Sequence, residues 1–204
     1  MATPDGRIAN VSGAVLLGGA SRRMGRDKTA LDVGGVPAAS RLAGLLSQLF
    51  EEVLLVGGTP PPGAPGRPVA DVGGPRSALR GLVGALSAAR GERVLVLACD
   101  LVLVTPELLL ALVAWPDADA VVPRTQGRAH PLCALYQRDA VLPVAEARLA
   151  GERLALHALL RELDTAYLED ADLEAVDPDG SALTNVNTAE DLERARARLE
   201  PTAR

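Results

Sequence analysis

Short apolar runs, each closed by glycine or aspartate, recur along this chain with helical patterns between them. Val11 to Leu17 is the first run and ends in Gly18-Gly19; Val53 to Val56 is the second and ends in Gly57-Gly58. Val94 to Cys99 is the most continuous run and stops at Asp100, while 120–122 and 132–136 are shorter ones of the same kind. Runs of that length, bounded by turn residues, predict buried strands. The stretches between them carry leucines at helical spacing. Leu42, Leu45, Leu46 and Leu49 follow Pro37, and Leu79, Leu82, Val83 and Leu86 share one face of 76–90. Pro106 to Trp115 follows Thr105, a residue suited to capping the helix, with Glu107 in its first turn. Helices are also predicted over 138–150, over 152–163 after a break at Gly151, and over 188–199, where Thr188 caps and Asp191 follows three residues on. Thr59 to Pro68, dominated by proline and glycine, reads as a loop.

Strands alternating with helices, each strand nearly bare of charge, predict an α/β fold with a mostly parallel sheet covered on both faces. Ligands of such sheets sit at the carboxyl ends of the strands. The positions just after Leu17, Val56, Cys99 and Val122 are therefore where chemistry is expected. A chain of 204 residues without repeats or an evident linker is expected to form a single domain, with 1–10 and 200–204 as tails.

Composition narrows the function. Aromatic residues are 2% of the chain and its net charge is −5, so stacking platforms and a basic footprint for nucleic acid are both missing. The longest apolar run, Leu108 to Trp115, is far shorter than the roughly 18 residues of a membrane span. Cys99 and Cys133 lack the spacing of a zinc site or a disulfide framework. A cytosolic protein that binds neither nucleic acid nor membrane is expected.

Twenty of the 21 cationic side chains are arginine, and the one lysine is Lys28. It lies in Gly18-Gly19-Ala20-Ser21-Arg22-Arg23-Met24-Gly25-Arg26-Asp27-Lys28, which packs four cations and three glycines into one loop of an acidic protein. Glycines let backbone N–H groups approach phosphate oxygens, arginine adds forked donors, and lysine adds a compact point charge. The composition calls for a polyanion, although the spacing is neither that of a Walker loop nor G-x-G-x-x-G. An exposed strand-to-helix turn in an arginine-rich chain is the plainer alternative.

With Leu16-Leu17 before it, this loop resembles that of the molybdenum cofactor guanylyltransferases, within the wider nucleotidyltransferases that use a nucleoside triphosphate. The likeness continues through Ala98-Cys99-Asp100, His130-Pro131-Leu132, Ala134-Leu135-Tyr136, Gly151-Glu152-Arg153 and Asn185-Val186-Asn187-Thr188. It implies a Rossmann-like three-layer α/β/α sandwich. It also implies transfer of GMP from Mg·GTP to the phosphate of molybdopterin, in molybdenum cofactor biosynthesis, with insertion proteins as further partners. Carried onto this chain, the nucleotide would contact Leu17, Gly18, Gly19, Ala20, Ser21, Arg22, Gly25, Lys28, Asp71 and Asp100. Lys28, Arg23 and Asp100 would serve catalysis, Asp100 would hold Mg²⁺, and Asn185 and Asn187 would bind the acceptor.

Each assignment has a structural alternative. Asp100 would serve equally as a helix cap, Asp71 as an ordinary loop aspartate, and Asn185 and Asn187 as turn or cap residues. His130 reads as a surface histidine and His157 as a structural one. The chain departs from the family pattern at Leu17, Ala20, Val102 and, most extensively, Arg76-Ser77-Ala78-Leu79-Arg80-Gly81. Gly18-Gly19 favours the guanine-using branch over the cytidylyltransferases. The cytidylyl counterpart, a sugar-phosphate nucleotidyltransferase and a nucleotide-binding regulator without turnover remain as rival readings.

Overall fold

The computed structural model describes residues 6–18 and 32–199. Gly19, Ala20, Ser21, Arg22, Arg23, Gly25 and Lys28 lie outside the described residues. Strand β1 is Ile8–Leu16, and it is followed among the described residues by the two-stranded hairpin β2 (Asp32–Val33) and β3 (Val36–Pro37). Then come α1 (Ala38–Leu49), β4 (Phe50–Val56), β5 (Arg67–Val69), α2 (Ala78–Ala88), β6 (Arg93–Ala98) and α3 (Pro106–Ala114). The remainder is β7 (Ala120–Thr125), β8 (Arg128–Ala129), β9 (Cys133–Gln137), α4 (Arg138–Ala150), α5 (Leu156–Leu160), β10 (Thr165–Leu168), α6 (Asp170–Leu173) and α7 (Ala189–Leu199).

The main sheet has the order β10-β7-β9-β6-β1-β4-β5, with β8 paired to β7. The β1–β4, β1–β6, β4–β5 and β7–β10 pairings are parallel; β9 runs antiparallel to both β6 and β7. Side-chain alternation along the strands divides the core into two apolar layers. Val15, Leu55, Leu95 and Leu97 pack with α1 and α3 on one face. Ala14, Leu16, Leu54, Val56, Val94 and Val96 pack with α2, α4 and α5 on the other. This is the expected three-layer α/β/α arrangement.

Because α1 and α2 cover opposite faces while β4 and β6 flank β1, the chain winds away from β1 in two directions. A crevice forms outside the carboxyl ends of strands at such a switch point. Residues 17–18 and 99–100 stand at its two lips.

Several elements differ from expectation. β1 begins at Ile8, which pairs with Phe50, so 8–10 belong to the sheet and not to a tail. The end of the proline-rich loop is strand β5, with Pro68 on the sheet's edge, where a missing N–H costs no ladder bond. The helix expected over 152–163 is confined to α5, because Gly151 and Glu152 form a turn in which Glu152 takes φ 54°. Pro37 stands one position outside α1, as its capping residue. The caps at Thr105 and Thr188 are as expected: their hydroxyls accept the N–H groups of Leu108 and Asp191, and the Asp191 carboxylate accepts the Thr188 N–H in return.

Candidate functional site

Asp100 follows directly on β6 and Cys99. Its turn is closed by the Leu101 N–H donating to the Ala98 carbonyl at 3.2 Å, and the Cys99 N–H donates across to the Leu16 carbonyl. Since α3 starts at Pro106 and is capped by Thr105, Asp100 is not a helix cap. It is half-buried.

The Val186 N–H donates to the Asp100 carbonyl at 2.9 Å. Val186 is buried with Val33, Ala38, Val102 and Ala195, whereas Asn185 and Asn187 on either side of it are exposed. Val102, one of the departures from the family pattern, is thus an apolar anchor for this segment: it is fully buried, and its carbonyl accepts the Arg41 Nε–H at 3.1 Å. The backbone of Asn187 takes part in the α7 cap, its N–H donating to the Asp191 carboxylate. The cap and the approach to Asp100 are features of one segment.

A second group gathers beside β1. The Leu17 N–H donates to the Val56 carbonyl, and the Gly57 N–H to the Val69 carbonyl. Gly57 has φ +70°, and a Cβ added there would lie 2.7 Å from Asp71 Oδ1, so only a bare Cα admits the aspartate. A Cβ on Gly58 would lie 3.2 Å from the Leu17 Cβ. Arg80 Nη2 donates to Asp71 Oδ2 at 2.6 Å, and Arg80 Nη1 to the Gly74 carbonyl at 3.2 Å. Asp71 is therefore held over the end of β4 and is no free loop aspartate. The sequence marks the positions just after Val56 as a place for chemistry, but it does not single out Arg80 as a site residue. The double glycine after a strand marks the turn, but the approach of Asp71 is made across two loops.

His130-Pro131-Leu132 lies at the same edge, since β9 begins beside the end of β6 and the Ala98 N–H donates to the Leu132 carbonyl. His130 Nε2 is 2.7 Å from the Thr125 hydroxyl. Burial, then the charges of Arg128 and His157, lower its pKa below the ordinary 6.5, which favours the neutral ring. Both cysteines are buried, and burial pushes the Cys133 thiol up to about 12. Cys133 is therefore no nucleophile near neutrality.

Mg²⁺ needs only one or two carboxylates when phosphates and water complete its shell. Asp100, a half-buried carboxylate directly after β6, is a hard-oxygen donor of the kind this ion takes. Among the described residues no group of three or more His, Cys, Asp and Glu could hold a metal alone. A cleft of about 520 Å³ lined by Trp115, Arg93 and several carboxylates lies at the opposite, amino end of the strands and contains none of these residues. Among the described residues no helix is long and apolar enough to cross a membrane.

Residues 13–166 match the model of the MobA-like NTP transferase domain. A curated relative, the probable molybdenum cofactor guanylyltransferase of Chloroflexus aggregans, is 34% identical over 201 residues, covering 94% of this chain and 96% of its own. Among solved structures, molybdopterin-guanine dinucleotide biosynthesis protein A from Archaeoglobus fulgidus superposes with a TM-score of 0.75 at 22% identity, over 92% of this chain and 97% of that one. The 2-C-methyl-D-erythritol 4-phosphate cytidylyltransferase of Thermus thermophilus superposes at 0.70 with 19% identity, over 92% and 98%, so the fold by itself does not choose the base. The matched domain runs from the middle of β1 into β10, through every strand that borders the crevice, and the chain belongs to the MobA-like NTP transferase family.

Proposed function

We propose that this protein transfers GMP from GTP to the terminal phosphate of molybdopterin, carrying molybdenum, with release of pyrophosphate. The observation that carries the reading is the bond between Val186 and Asp100. It sets two motifs from distant parts of the chain side by side at the switch point. The extent of identity with the guanylyltransferase relative supports the choice of GTP and of the pterin acceptor.

In the reaction an oxygen of the acceptor phosphate forms a bond to the α-phosphorus of GTP, and the bond from that phosphorus to the bridging oxygen of pyrophosphate breaks. A phosphate nucleophile is already anionic, so no general base is required. The protein's work is positioning and neutralising charge. The backbone at Leu17 and Gly18 would meet the nucleotide, together with Gly19, Ala20, Ser21, Arg22 and Gly25. Lys28 would steady the triphosphate, and Arg22 and Arg23 the leaving pyrophosphate. Asp71 would contact the nucleoside end, and Asn185 and Asn187 the acceptor. Asp100 would hold Mg²⁺, which when bound neutralises phosphate charge. The finished cofactor would pass in the cytoplasm to the proteins that insert it.

The test is pyrophosphate release by the purified protein with each of the four triphosphates and molybdenum-loaded molybdopterin. GTP is expected to be the preferred donor; preference for CTP, or no turnover with any, overturns the reading. Lys28→Arg is expected to slow transfer by roughly tenfold or more, because a planar fork cannot occupy the place of a point charge. Normal turnover by that variant would make the single lysine incidental.

A further inference from the structure

We propose that Arg80 is a positioning residue for the nucleoside end of the triphosphate, acting through Asp71. The proposal rests on the nucleotide site described above. Arg80 comes from the segment of this chain that departs most from the family pattern, 76–81, and the structure shows what that segment builds. Ser77 caps α2 by accepting the Arg80 N–H at 3.2 Å, which fixes the backbone of Arg80 in the first turn. Leu79 beside it is fully buried. Gly81 lies so close to β1 that an added Cβ would stand 3.2 Å from Leu16 Cδ1. The first turn of α2 is thus docked against the strand that ends at the crevice, with Arg80 at its rim.

From that base the guanidinium makes two further bonds, one to Asp71 Oδ2 and one to the Gly74 carbonyl. Gly74 in turn lies against Leu149 of α4, 3.5 Å from where its Cβ would be. Asp71 is therefore gripped on one oxygen by Arg80, while its other oxygen rests against the bare Cα of Gly57. The side chain of Arg80 is only 18% exposed and that of Asp71 35%, so the arginine is covered while the aspartate stays within reach of a ligand. A surface ion pair with two free partners would leave the carboxylate to wander. Here the cation is tied to a docked helix and a packed loop, so the carboxylate is presented in one place. The same two-point grip cannot be made by lysine, which lacks the fork.

The experiment measures KM for GTP and kcat in the pyrophosphate assay, and in parallel the Kd for Mg·GTP by calorimetry. Arg80→Ala is expected to raise KM and Kd by about tenfold, as for loss of a hydrogen bond to a charged group, with kcat within about twofold. Arg80→Lys is expected to recover part of that loss. Arg80→Ala combined with Asp71→Ala is expected to be no worse than Asp71→Ala alone, because the arginine acts only through the aspartate. Ser77→Ala, which removes the cap and leaves the guanidinium, should lower Tm and raise KM less than Arg80→Ala does. Unchanged KM and Kd in Arg80→Ala, additive effects in the double variant, or a KM shift in Ser77→Ala as large as that of Arg80→Ala would each overturn the proposal. If the wild-type protein binds Mg·GTP but forms no pyrophosphate, the enzymatic reading fails while the Kd series still decides the role of Arg80. If it does not bind Mg·GTP, both fail.

Discussion

The two ends of the sheet use polar side chains in opposite ways. At the amino ends of the strands, charges are consumed in tying loops to one another. The Ser12 hydroxyl, fully buried, donates to Glu52 Oε2 at 2.7 Å and accepts the Gly91 N–H. Glu52 also accepts the Arg90 N–H and the Arg67 guanidinium, which reaches on to the Ala88 carbonyl. Close by, Arg138 Nη1 lies within hydrogen-bond reach of the carbonyls of Ala89, Arg90 and Gly91. At the carboxyl ends, by contrast, Asp71, Asn185 and Asn187 stay exposed, with Asp71 held by Arg80 and Asn187 tied through its backbone to the α7 cap. One edge joins the loops of the fold, and the other leaves these side chains exposed at the crevice.

Substitutions at the two edges should therefore separate activity from stability. Asp100→Ala is expected to lower pyrophosphate release by about 10²–10³-fold while Tm stays close to that of the wild type. Equal losses of activity and Tm would place Asp100 with the structural edge. Glu52→Ala is expected to do the converse. It strands the Ser12 hydroxyl and two N–H groups, at a cost of about 2 kcal/mol. Thermal melting should read this as a Tm lower by roughly 4–8 °C, with turnover per folded molecule unchanged.

The smallest effect is in the acid range. Burial alone would raise the pKa of Glu52, but the hydrogen bonds from the Arg90 N–H, Arg67 and Ser12 outweigh it and hold the carboxyl below its ordinary 4.5. A carboxyl with a depressed pKa in the folded state contributes stability that is complete above its unfolded value and is lost as the pH falls through the folded one. Denaturant titrations from pH 6 downward should show this loss setting in below 4.5 for the wild type and missing from Glu52→Gln. An identical pH slope in the two proteins would remove Glu52 from the acid response.

Much of the framework behind this contrast is legible in the amino-acid sequence. The apolar runs locate β1, β4, β6 and β9, and capping residues locate the starts of α3 and α7. The elements that escape such reading are short and depend on partners. β5 carries Pro68 and Arg67 and is a strand only because β4 offers it an edge. The hairpin of β2 and β3 is made by Gly34 and Gly35, both with positive φ, in a stretch too short for periodicity to register. Among the candidate site residues, Asp100, Asn185 and Asn187 stand out in the sequence because they belong to ordered motifs, whereas Asp71 reads there as a loop aspartate. The grip of Arg80 on Asp71 is not legible there, because it spans two loops whose approach is set by the packing of Gly81 on Leu16 and of Gly74 on Leu149. Its trace in the sequence is a departure from pattern.

The bond from Val186 to the carbonyl of Asp100 also orders events during synthesis. The turn at Asp100 and the strands around it are translated well before the segment that donates to them, and α7, whose Ala195 packs with Val186 and Val102, comes later still. A chain emerging from the ribosome can thus assemble β1, β4 and β6 as an early folding unit. It cannot make the bond from Val186 to Asp100, with Val186 packed beside Ala195, until α7 is out. A nascent chain halted between β10 and α7 would carry the turn at Asp100 without the segment that donates to its carbonyl.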